Sequence, residues 1–68
     1  MKYNTEAIEE VVVAVVKDFA SYYKDVVDMF LENRLDNRGQ FIMNELYKDI
    51  KDNFGYDSNI VNTILKEG

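Results

Sequence analysis

Sixty-eight residues allow one small domain, and a chain that short buries only about 60 % of the surface it exposes when unfolded, so its core alone is marginal. With no cysteine and no histidine, the chain has no disulfide, no thiolate or imidazole metal ligand, and no histidine to activate a nucleophile. The formal net charge is −5, with acids in excess in both halves, which argues against non-specific adhesion to nucleic acid or to an anionic membrane.

Small folds without disulfides or metals gain stability by oligomerising, so self-association is expected here. The longest strictly apolar run is the six residues Val11 to Val16, far short of a membrane span of ~20 residues. Glu6, Glu9 and Glu10 stand where a signal peptide carries positive charge. The chain is therefore expected to be cytoplasmic and unprocessed, with no membrane association, no metal and no cofactor. Proline is absent, so the internal glycines Gly39 and Gly55 are the punctuation, and they divide the chain into three segments.

The first segment is predicted to be one helix over residues 5–33. Asn4 or Thr5 can cap it, and Glu6 suits its first turn. At about 100° per residue, Ile8, Val11, Val12, Val15, Val16, Phe19, Tyr22, Tyr23, Val26, Val27, Met29 and Phe30 share one side, while Glu10, Lys17, Asp18, Ser21, Lys24, Asp25, Asp28 and Glu32 share the other. No strand alternation fits as well, so the valine run belongs to an amphipathic helix. Each valine costs a few tenths of a kcal/mol in helix propensity, roughly, against ~1.5 kcal/mol or more from burial. Ile8, Val12, Val15, Phe19, Tyr22, Val26 and Met29 follow the 4-3 spacing of a heptad seam, with a second apolar row beside them.

Residues 33–37 form a connection, and Asn37 with Gln40 has the form of a capping box. A second helix follows over about residues 38–53, with Ile42, Met43, Leu46, Tyr47, Ile50 and Phe54 on its apolar face and Phe41 on its polar one. Gly55 suits the position after its end. A short third helix over about residues 58–66 starts at a cap from Asp57 or Ser58 and carries Ile60, Val61, Ile64 and Leu65 on one edge.

The expected fold is thus all-α: a single domain over residues 1–68, with one long N-terminal helix and two shorter helices packed back on it. A straight first helix is ~40 Å long, and two short helices cannot easily cover an apolar arc of roughly 200° along it. The remainder is expected to pair with a second copy in a dimeric bundle, through Val12, Val13, Val16, Phe19, Tyr23, Val27, Phe30 and Leu31. Phe41 is a further candidate for an exposed partner contact, or else tucks under the preceding connection.

Enzymatic readings are poor. Asp25, Asp28 and Glu32 share a helix face, as do Glu45, Asp49 and Asp52, but both faces point to solvent, where carboxylates neither converge on a metal nor shift toward acid–base work. Ser21 and Ser58 have no histidine beside them, and neither a calcium loop nor a glycine-rich phosphate loop is present. The expected function is non-catalytic: a small interaction or regulatory module. An alternative comes from residues 50–64, which have the outline of a helix-turn-helix and would offer Ser58, Asn59, Asn62, Thr63 and Lys66 to DNA. Against it, Lys51 stands at a position usually small and buried, the reading helix lacks arginine, and Asp57 lies where phosphate should be welcomed. A third reading has Glu6, Glu10, Asp25, Asp28 and Glu32 mimic nucleic-acid phosphates on an inhibitor's surface, although Lys17 and Lys24 interrupt that face.

Overall fold

Helix α1 spans Glu10–Tyr22, α2 Lys24–Leu31, α3 Asn37–Phe54 and α4 Ser58–Glu67 in the computed structural model, which describes residues 10–67. All regular structure among these residues is helical, as the apolar periodicity requires. None of these helices is long and apolar enough to cross a membrane. The expected cap at Asn4 or Thr5, the acidic first turn at Glu6 and the seam residue Ile8 lie outside the described residues.

The helix expected to run unbroken from residue 5 to residue 33 is instead two helices. Tyr23, between α1 and α2, sits at φ −113° and ψ 50°, outside the helical region. Its N–H still donates to the Phe19 carbonyl at 2.8 Å, and its own carbonyl accepts from Val27 at 3.0 Å. The chain therefore bends at one residue without separating. No proline or glycine causes this; the cause is tertiary. Val12 and Val16 of α1 enter the same core as Val26 and Val27 of α2, together with Met43, Leu46 and Ile50 of α3 and Ile60, Val61, Ile64 and Leu65 of α4. Burying a valine is worth about 1.5 kcal/mol or more, so bringing both halves to one core outweighs one distorted helical position. The middle of the wide apolar arc is covered from within by this means, while Val11, Tyr22 and Leu31 stay exposed. Val13, off the heptad seam, is half-buried against the chain's own core.

The other boundaries are set by local chemistry. After α2, Asn33 adopts φ 57°; its N–H donates to the Phe30 carbonyl (3.2 Å) and that of Arg34 to the Met29 carbonyl (2.8 Å). This pair of bonds is a Schellman closure, with asparagine in the left-handed position that glycine more often takes. The cap of α3 is Asp36, not Asn37: its Oδ1 accepts from the Gly39 N–H at 2.6 Å. Asn37 is already helical, and the Gln40 side chain donates forward to Asn44 rather than back to the cap. Gly39 permits a close approach, since a Cβ there would lie 2.7 Å from Leu35 Cδ1. At α4 the cap is Asp57, whose Oδ1 accepts from the Asn59 N–H at 3.0 Å.

Gly55 closes α3 as its position implies, at φ 79° with its N–H donating to Lys51 at 2.9 Å. Nothing lies within 4 Å of the place a Cβ would take, so a substitution there meets only backbone strain. Gly55→Ala should therefore cost about 1–2 kcal/mol, the penalty of an L-residue in the left-handed region. The midpoint of urea unfolding measures it.

Candidate functional site

The core takes one stripe of α1 and leaves its edges half-covered. Phe19 and Tyr23 stand on the edge nearer α3, with ring centroids 5.0 Å apart and tilted by 44°. Tyr22 meets Tyr23 edge-on at 4.8 Å and is itself 80 % exposed. Across from them α3 presents Ile42 and Phe41, and the Phe41 ring is 65 % exposed. Phe41 is thus exposed and does not tuck under the preceding connection.

Between these rings runs a groove of about 630 Å³, with Phe19, Tyr23, Phe41, Ile42 and Leu46 as apolar lining and Glu45, Lys48, Asp49, Asp52 and Asn53 along the α3 wall. The Asp49 carboxylate accepts from Asn53 Nδ2 at 2.8 Å, which holds it in place. Neither Glu45 nor Asp52 is in a salt bridge among the described residues. The groove is thus an aromatic slot with a net negative wall. Its α3 residues were available in the sequence as a stripe: positions 41, 45, 48 and 52 step by four, three and four. Glu45, Asp49 and Asp52 are exposed, as expected of a solvated face, and that face runs along the groove beside Phe41. The opposing wall depends on the bend at Tyr23, which no local signal announced.

A second groove of about 440 Å³ lies on the other edge of α1, floored by Val16, Ala20, Val27, Ile64 and Leu65, with Lys17, Lys24, Asp28 and Leu31 around it.

The residues expected to form a self-association surface do not make one surface. Val12, Val16 and Val27 are inside the chain's own core, and Val13 and Phe30 are half-buried against it. Phe19 and Tyr23 open to the first groove and Leu31 to the second. The residues of α4 named for DNA contact are also divided. Ser58, Asn59 and Lys66 are exposed, but Asn62 Oδ1 accepts from the Tyr47 hydroxyl at 2.8 Å. The Thr63 hydroxyl donates to its own helix, at the Asn59 carbonyl, 2.8 Å away. Of the acidic face, Glu6 lies outside the described residues, Asp25 is 3.9 Å from Arg38, and Glu32 accepts from Arg34 Nε at 2.8 Å.

The fold alters the titration of Tyr47. Burial pushes its phenol above the ordinary value, while the hydrogen bond to Asn62 pulls the other way. A raised folded value means that the unfolded chain loses this proton first. The contribution is complete below the ordinary phenol value of about 10 and declines as pH rises through and above it. Tyr47→Phe should cost about 0.5–1.5 kcal/mol near neutral pH, the worth of the lost hydrogen bond. The gap between variant and parent should narrow above the phenol value, as read from urea midpoints at successive pH values.

No protein-family model matches the sequence, and no curated protein or solved structure is detectably similar to it.

Proposed function

We propose that the chain is a non-catalytic protein–protein interaction module whose contact surface is the groove between α1 and α3. The observation that carries this reading is Phe41: a large aromatic side chain, 65 % exposed, at a groove already lined by Phe19, Tyr23 and Ile42. Exposed aromatics beside a pre-formed apolar slot are the anchoring pattern of helix-in-groove recognition. The non-catalytic part of the reading is supported by composition, since neither histidine nor cysteine is present and the serines lack an activating partner. Self-association fits the same scheme only through groove residues, because Val12, Val16 and Val27 are committed to the core.

The test is selection of random 14-residue peptides displayed on phage against the full chain, with counter-selection on Phe41→Ala. The expected result is peptides that bind the parent at least tenfold more tightly than the variant. Peptides that bind both equally, or no enrichment at all, overturn the reading. Phe41 is largely in water, so the variant should keep the parent's unfolding midpoint.

A further inference from the structure

We infer that the partner taken by the α1–α3 groove is an amphipathic helix whose apolar stripe is bordered by lysine or arginine. The inference rests on the groove being a contact site and goes on to the chemistry of the occupant. Phe41, Glu45, Lys48 and Asp52 lie along one stripe of α3. Phe41 and Asp52 are eleven positions apart in sequence, or ~16 Å along a helix. That length matches about three turns of a docked helix. An apolar stripe facing Phe19, Tyr23 and Ile42 would place its flanking residues over the α3 wall. There Glu45, Asp49 and Asp52 outnumber Lys48.

Three properties favour a basic flank over an acidic one. The wall carboxylates are exposed along the edge of the apolar lining, so a helix docked on that lining would bring its flanking charges directly against them. The Asp49 carboxylate accepts from Asn53 through Oδ1 alone, which leaves its other oxygen to a lysine or arginine of the partner. Phe41, 65 % exposed, offers a ring on which a guanidinium or ammonium group can stack. The acidic balance of the whole chain adds a long-range bias in the same direction, raising the rate at which a basic segment arrives. An acidic helix would meet three like charges, and a neutral one would leave the wall without ion pairs.

The experiment uses three synthetic 14-residue helical peptides with one shared leucine stripe and lysine, glutamine or glutamate on the remaining face. Affinity is measured by calorimetry, and the contact is located by amide shifts in a titration of the isotope-labelled full chain. The lysine peptide should bind at least tenfold more tightly than the glutamate peptide, with shifts centred on Phe41, Glu45 and Asp49. The ratio should shrink as salt is raised. Phe41→Ala should weaken the lysine peptide at least tenfold, and the double variant Glu45→Lys with Asp52→Lys should reverse the order of the lysine and glutamate peptides. Equal affinity for all three peptides, still dependent on Phe41, overturns the charge assignment and leaves the contact site standing. Lysine-peptide binding indifferent to Phe41→Ala overturns both. A parent chain that is dimeric by light scattering, and monomeric as Phe41→Ala, makes a second copy the occupant and overturns the assignment to a basic helix.

Discussion

Val16→Asp should unfold the chain. Val16 is fully buried between α1 and the rest of the core, and among the described residues no charged side chain is buried with it. The substitution removes about 1.5–3 kcal/mol of apolar burial. It also leaves a carboxylate with nothing to pair with, typically a loss of about 3–5 kcal/mol. Proteins hold roughly 0.05–0.15 kcal/mol of stability per residue, so the sum is of the order of everything a chain this short has. Far-UV circular dichroism should show the helical signal gone at room temperature. Had Val16 faced a second copy, the same change would leave helicity in place and only lower the mass. A folded, helical monomer of Val16→Asp would return this residue to an interface and sink its placement in the core.

Ile50→Ala should cost about 2–5 kcal/mol, the range for removing a large aliphatic side chain from a packed interior. Ile50 is fully buried on the face of α3 that joins both arms of the bent N-terminal segment to α4. The surrounding valines are stiff at χ1 and cannot readily swing into the space. The size of the effect is read from the urea midpoint at constant slope. A loss below about 1 kcal/mol would mean that the site collapses around the cavity, contrary to the rigid β-branched neighbourhood. Leu31→Ala, on the exposed end of α2, supplies the contrast and should change stability by no more than about 0.5 kcal/mol.

The parts of this fold legible in the sequence are those decided within a few residues. Gly55 ends α3 because a left-handed residue is needed there, and Asp57 caps α4 through its own side chain; both are local requirements visible in composition. The cap of α3 lies one position before the expected Asn37 because both residue types serve as caps, and here the Asp36 carboxylate meets the Gly39 N–H. The bend at Tyr23 was not legible at all. A continuous apolar stripe is equally consistent with a straight helix facing a second chain and with a bent one facing itself. The choice depends on the lengths of α3 and α4 and on the distance their side chains can reach. The groove followed the bend out of sight: Phe41 stood out as an aromatic on a polar face, but its counterpart wall exists only once α1 has turned.

The bend at Tyr23 also changes how the N-terminal segment can come apart. Helix formation is cooperative along the chain, and an uninterrupted helix transmits disorder from one end toward the other. Here α2 has eight residues, too few to persist without its neighbours, since isolated helices shorter than about 12–15 residues are marginal in water. Its order is lent by Val26 and Val27 in the core and by the closure at Asn33, while α1 is held separately by Val12 and Val16. The segment is therefore held at two sets of anchors, on either side of one joint, in a single core. Loosening α2 would dismantle the lysine-bordered groove, whose Lys24, Val27, Asp28 and Leu31 all belong to α2, whereas Phe19, in the last turn of α1, lies on the other side of the joint.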